Sequence, residues 1–339
     1  MKPRFRLTIQ LVFALSSFLA LAVLAVPPIK DYFQGWKAYQ EEYNVLVAQM
    51  ARRGTMARPI RIGIIQNYIS DLGVVDRCQT CHVSILAPAF RSALEPFRTH
   101  PDTPHDISKL GCTICHGGTG RATSMDDAHA YGPEGYPLLQ GNYVSASCGQ
   151  CHKGNRVPEA YDLNAGRSLV EESNCTGCHL IPGFERNPGA LALDMDGIGQ
   201  KVTTPWLYAW LKRPKNYLPR TRMPNFHFSD QDVGLMTTFL ISTKKEAAGS
   251  TAVSKGGDVE EGKTLFRERR CVSCHAVNGR GGTLAPDLGK VGGKLNPEWL
   301  SSWLGSPRQL FHGSRMPQFS LSSNQVLALS SYISSELVD

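Results

Sequence analysis

Three patterns of apolar and polar positions divide the chain. The first is LTIQLVFALSSFLALAVLAV at 7–26, an uncharged and mainly apolar run behind the basic residues Lys2, Arg4 and Arg6. A run of that length predicts a transmembrane helix, and the flank predicts an N-terminus in the cytoplasm with everything else outside. A cleaved signal peptide is the alternative. The length of the run, the lack of a clear A-x-A site before a permissive residue, Pro27-Pro28 at the cleavage point and the absence of a spare cysteine for lipid favour a retained anchor. Beyond it, Tyr32, Trp36, Tyr39, Tyr43 and Leu46 recur at helical steps. Tyr32, Phe33 and Trp36 suit a membrane interface, and the stripe predicts a helix packed on the protein's own body.

In the second pattern, residues 58–159, apolar periodicity fades and Gly, Pro and polar residues take over. Short helices joined by irregular loops are predicted, with too few apolar residues for a conventional core. The third pattern, from residue 160 on, is helical and written twice. AGRSLVEESN precedes CTGCH as EEGKTLFRER precedes CVSCH, and WLYAWLKRP (206–214) returns as WLSSWLGSP (299–307). RTRMPNF (220–226) returns as GSRMPQF (313–319). Between the copies, KKEAAGSTAVSKGG (244–257) reads as a flexible linker that lets the last segment swing.

Composition adds the chemistry. The 42% hydrophobic and 19% charged residues exclude a largely disordered chain. All ten cysteines fall in five Cys-x-x-Cys-His motifs: Cys78, Cys81 and His82; Cys112, Cys115 and His116; Cys148, Cys151 and His152; Cys175, Cys178 and His179; Cys271, Cys274 and His275. Disulfide staples or zinc knuckles would use the cysteines but need no histidine directly after each pair. Covalent c-type haem needs both. Two sulfurs bind one porphyrin edge, and the next imidazole meets the iron. Five haems are therefore expected, and in 58–159 the porphyrins replace the missing core. Their propionates add roughly ten negative charges to the apo chain's +7, so its basic balance points to no nucleic-acid partner. No basic run with interleaved aromatics argues otherwise.

Each copy in the repeat resembles a class I cytochrome c: helix, CxxCH, loop, helix, a methionine before proline, and a final helix. The resemblance implies Met223 and Met316 as sixth ligands opposite His179 and His275. It also places a proline near the proximal histidine. Pro286 fills that place in the second copy, but Leu193 does in the first, which leaves the orientation of His179 unassigned. His227 and His312 are weaker candidates, since they lie on opposite sides of their methionines. For the first three haems, His100, His105 and His129 are spare, which makes bis-His ligation the economical reading. HPDTPHDISKLGCTICHGGTGRA with a later DAHA resembles membrane-anchored multihaem cytochromes of bacterial quinol-oxidising cytochrome b complexes. HGGTGRA lacks the strand and the Lys-Ser/Thr of a phosphate loop.

The expected fold is mainly α: an N-terminal transmembrane helix, an irregular haem-packed trihaem region and two tandem all-α class I cytochrome c domains. The boundaries are 1–29 for the cytoplasmic N-terminus and anchor, 30–57 for a helical connector, and 58–159 for the trihaem domain. Residues 160–244 and 255–339 are the cytochrome c domains, joined by a linker at 245–254. Thioether ligation raises haem potential relative to bis-His ligation, so electrons would run from the membrane outward. The resemblance implies a single-pass protein of the bacterial inner membrane, its haems periplasmic and its anchor in lipid. Its donor would be a membrane cytochrome b or other quinol-oxidising subunit, and its acceptor periplasmic. The alternative is a nitrite, hydroxylamine or peroxide enzyme with one open haem. Against it, every iron has a candidate sixth ligand, and no catalytic residue is assigned.

Overall fold

A computed structural model describes residues 3–32, 34–54, 56–129, 138–152, 156–185, 192–243, 256–311 and 313–338, without the side chains of 3–9 and 27–32. His312 and the expected linker at 245–254 lie outside these residues. The chain is mainly helical. It divides into two compact units, Met1–Thr113 with Gly117–Pro137, and Ile114–His116 with Leu138–Asp339. The third Cys-x-x-Cys-His motif, grouped by sequence with the first two, thus falls in the second unit.

In the first unit, α1 (Pro3–Tyr32) is followed by α2 (Gly35–Arg52). Among the described residues no helix is long and apolar enough to cross a membrane, so the expected span finds no support in the fold. α2 buries Trp36, Gln40, Tyr43 and Val47, one face at helical spacing. Tyr43 stacks on Phe90 with ring centres 5.1 Å apart, and Val47 and Phe97 complete a small apolar cluster. Gln40 is fully buried although it is polar. Its amide donates to the carbonyls of Gly63 and Thr80 (2.8 Å each), and its oxygen accepts from Gly63 N (2.8 Å). α2 thereby grips Thr80, inside the first motif. A hairpin of β1 (Asn67–Ile69) and β2 (Val74–Asp76) precedes that motif. Three-residue strands leave too short a period to read from sequence.

The second unit repeats itself. α3 (Tyr161–Glu172), α4 (Thr204–Lys212) and α5 (Asp230–Ser242) correspond to α6 (Val259–Glu268), α7 (Pro297–Gly305) and α8 (Ser323–Glu336). α5 and α8 both open on capping boxes, Ser229 with Asp232 and Ser322 with Gln325. α3 meets α5 at Gly166, and α6 meets α8 at Gly262. A Cβ at either glycine would run into a backbone carbonyl, of Leu235 or Ala328. Met236, Val233 and Leu240 of α5, and Ala328, Leu329 and Ile333 of α8, fill the core. The third motif, in the short helix Cys148–Cys151, packs against α5. A Cβ on Gly149 would lie 2.8 Å from Ser242 Cβ.

The two copies are joined directly. Val202 and Leu295 form an antiparallel bridge. Thr203 N donates to Lys294 O (2.9 Å), and Asn296 N donates to Lys201 O (3.0 Å). Asn296 Nδ2 also donates to the carbonyls of Gln200 and Val202, and Tyr217 OH to Lys290 O. The last domain is therefore docked on its twin. This corrects the expectation that it swings, because paired backbone groups hold a geometry that a free tether would not.

Candidate functional site

Each Cys-x-x-Cys-His motif is one tight turn. The histidine N–H donates back to the carbonyl of the first cysteine in four of them: His82 to Cys78 (3.0 Å), His152 to Cys148 (2.9 Å), His179 to Cys175 (2.9 Å) and His275 to Cys271 (3.0 Å). The other motif forms the short helix Thr113–His116. One turn sets both sulfurs and the imidazole on the same side of the backbone. Asn174 and Arg270, each just before a first cysteine, both take the left-handed φ of 52°. That conformation costs a non-glycine residue about 1 kcal/mol, so the tertiary structure enforces it in both copies. None of the ten cysteines is in a disulfide.

Three of the motif histidines have their rings aimed by backbone carbonyls. Nδ1 of His116 lies 3.2 Å from Leu139 O, Nδ1 of His179 2.9 Å from Leu193 O, and Nδ1 of His275 2.7 Å from Pro286 O. A carbonyl only accepts, so Nδ1 carries the hydrogen and Nε2 the lone pair that binds metal. Leu193 thus does for His179 what Pro286 does for His275. The backbone oxygen sets the ring, which settles the orientation that the missing proline left unassigned. His100 Nδ1 makes the same kind of bond to Pro101 O (2.8 Å).

The rings of His82 and His129 are centred 6.1 Å apart with their planes inclined at 35°. His82 Nδ1 also lies 4.0 Å from Glu95 Oε2. His105 and His152 are exposed. Met223 and Met316 are half-buried, and their N–H groups donate to Thr221 Oγ1 and Ser314 Oγ respectively, each at 3.2 Å. Trp303 Nε1 donates to Met316 Sδ (3.0 Å). His227 is exposed with a φ of 56°.

The first two motifs meet at Asp76, a residue with no motif of its own in the sequence. It is 2% exposed. Its carboxylate accepts from Cys78 N (3.0 Å), Cys112 N (2.7 Å), Thr113 N (2.8 Å) and Thr113 Oγ1 (3.1 Å). Burial pushes its pKa up, but the N–H groups of Thr113, Cys112 and Cys78 outweigh that and hold it below the ordinary value. The ligand atoms of Asp76, Cys78 and Cys112 lie within 4.8 Å of one another, a spacing that could hold a cation. Four donors already aim at the carboxylate, however. A hydrogen bond with Cys112, then burial and the Asp76 charge, push the Cys78 thiol up, away from the thiolate that a metal needs.

The donor set fits haem better. Every motif offers two cysteines and a histidine within one turn. Trp206 Nε1 is buried and has no acceptor among the described residues, as expected of a donor facing a bound polar group.

Residues 259–336 match the cytochrome c family. They form a cytochrome c domain. The group such a domain holds is a covalently attached c-type haem with its iron. A nitric oxide reductase subunit of Stutzerimonas stutzeri is 34% identical over 85 residues, 24% of this chain and 57% of that protein. The subunit of the same name in Paracoccus denitrificans is 34% identical over 84 residues, 22% of this chain and 56% of that one. Cytochrome c oxidase subunit 2 of Alkalihalophilus pseudofirmus is 30% identical over 118 residues, 30% of this chain and 34% of that protein. The chain thus spans a little over half of the two reductase subunits and about a third of the oxidase subunit.

Sequence reasoning missed Gln40, Asp76, Lys201 and Lys294. The two lysines had a usable signal. They stand 93 positions apart, the offset that relates Met223 to Met316. Asp76 and Gln40 stand singly, with no repeat to mark them.

Proposed function

We propose that the chain is a pentahaem electron carrier anchored in the bacterial inner membrane, with its haem domains in the periplasm. It takes electrons from a membrane quinol-oxidising partner of cytochrome b type and hands them to a periplasmic or terminal acceptor. The observation that carries this reading is the set of five Cys-x-x-Cys-His turns, each with its histidine directly after the second sulfur. When bound, each haem supplies an iron that gains and loses one electron. The chain's residues hold it: ten cysteines as attachment points, and His82, His116, His152, His179 and His275 as proximal ligands.

For the sixth ligands, two imidazoles on opposite sides of one iron, with bonds of about 2 Å, have ring centres about 6 Å apart. The 6.1 Å between His82 and His129 fits that arrangement. We therefore pair His129 with His82, and His100 and His105 remain candidate sixth ligands of the trihaem region. Met223 and Met316 complete the last two, at equivalent places in the repeat. What supports the anchor is α1, where Leu11, Phe13, Leu15, Phe18, Leu21 and Leu24 are all exposed, an apolar surface on several sides of one helix. The relatives are named as subunits of nitric oxide reductase and of cytochrome c oxidase, which favours a respiratory complex as partner.

A potentiometric titration of the membrane-purified protein, with EPR spectra and CO added after reduction, tests the reading. Five low-spin haems, two titrating above three, with no CO bound, are expected. A high-spin haem that takes up CO would sink the carrier assignment. In Met316→Ala, haem content stays at five while the last haem binds CO and changes potential. An unchanged potential would remove Met316 from the ligand set.

A further inference from the structure

The bridge between the copies brings together two lysines in equivalent positions. Lys201 Nζ lies 4.9 Å from the ring centre of Trp299 in the second copy. Lys294 Nζ lies 4.6 Å from that of Trp206 in the first, and 5.6 Å from Tyr217. The arrangement is reciprocal, each copy reaching into the other at the same offset. Both tryptophans belong to the neighbourhood of a candidate axial methionine. Trp299 stacks on Trp303 with centres 5.3 Å apart, and Trp303 bonds Met316 Sδ. Trp206 stacks on Trp210 at the same separation, and Met223 packs against the same core.

Neither ammonium has a carboxylate partner among the described residues. Burial lowers the pKa of both, and the charge of Lys201 lowers that of Lys294 further. Both side chains are half-buried, and a cation over an aromatic ring gains less than a charge drawn out of water without an anion loses. The protein brings two mutually repelling cations to one seam and gives neither an anion. Beside the half-buried Lys294, Trp206 Nε1 is a buried donor without an acceptor among the described residues. Two donors and no acceptor describe a site for a carboxylate.

We propose that Lys294 holds a propionate of the haem attached at Cys175 and Cys178, and that Lys201 holds one of the haem attached at Cys271 and Cys274. Each domain then supplies the counter-charge for its twin's haem. The inference rests on both motifs carrying haem. A lysine in this place is a positioning and tuning residue, since it touches the porphyrin edge and not the iron.

The test treats the full holoprotein with a water-soluble carbodiimide, which joins an amine to a carboxylate in direct contact by forming an amide with loss of water. Mass spectrometry of the digest is expected to find Lys294 linked to the haem on the Cys175–Cys178 peptide, and Lys201 to the haem on the Cys271–Cys274 peptide. Lys294→Met and Lys201→Met supply a second readout that a purely structural lysine would not move. Losing a nearby positive charge favours Fe(III), so each variant lowers one of the two high-potential waves, a different one in each, and the double variant lowers both. Links within each lysine's own domain, or no links together with unmoved waves, would overturn the proposal. Peptides without haem mass would remove the two-haem reading along with it.

Discussion

Asp76 shows how much one side chain decides in the first unit. With its carboxylate gone, Asp76→Ala leaves the N–H groups of Cys78, Cys112 and Thr113 without their acceptor, and buried donors left unpaired cost about 1–3 kcal/mol each before relaxation. The variant is expected to lose thermal stability in the first unit and to attach less haem than the wild type, as counted by pyridine haemochromogen. Asp76→Asn keeps one accepting oxygen and falls between. The sign of the acid response follows from the depressed pKa. The folded carboxylate resists a proton that the unfolded one accepts near pH 4, so this contribution is present above about pH 4 and is lost as pH falls further. Circular dichroism melts from pH 6 to pH 3 should show that loss in the wild type and a weaker one in Asp76→Asn. At this scale the cysteines and histidines of the five motifs and the two methionines stood out in the sequence because they recur at fixed spacings. Asp76 did not, because a lone acid in VVDRCQ carries no spacing to read.

At the level of elements, the helices of the repeat were legible and the reason for their closeness was not. The helical pattern from residue 160 on foretold α3 to α8, but nothing in it marked the glycines. Their role appears when α6 is seen against α8. Gly262→Ala places a methyl against the Ala328 carbonyl, so the helices must part, at about 1–3 kcal/mol for overpacking. A lower melting temperature, with weakened retention of the last haem under mild denaturant, is the expected result. An unchanged melt would mean that the two helices cross with room to spare. The hairpin of β1 and β2 escaped the sequence for the opposite reason, because each strand is three residues long and its pairing is set by the turn at Gly73 and by the bonds that end on Asp76.

For the whole molecule, duplication was plain in the sequence, but docking was not, because the groups that dock are backbone amides. Asn296 is the side chain that reinforces them. Asn296→Ala removes two hydrogen bonds to the opposite copy, about 1–2 kcal/mol, and should speed hydrogen exchange at the amides of Thr203 and Asn296 while leaving the core of α5 protected. Equal protection in the variant would show that the seam does not depend on this side chain.

The reciprocity of that seam has a consequence for descent. Thr203 binds Lys294 as Asn296 binds Lys201, a pattern in which the same surface serves on both sides. A surface that complements itself is one that a single ancestral domain could have presented to a second copy of itself. Joining two such domains in one chain replaces a dimer that falls apart on dilution with a pair whose effective concentration, on the order of millimolar for a short tether, no longer depends on how much protein the cell makes. Once the partners are fixed, each half is free to change alone, and the proline beside His275 and the leucine beside His179 record that the halves have begun to do so.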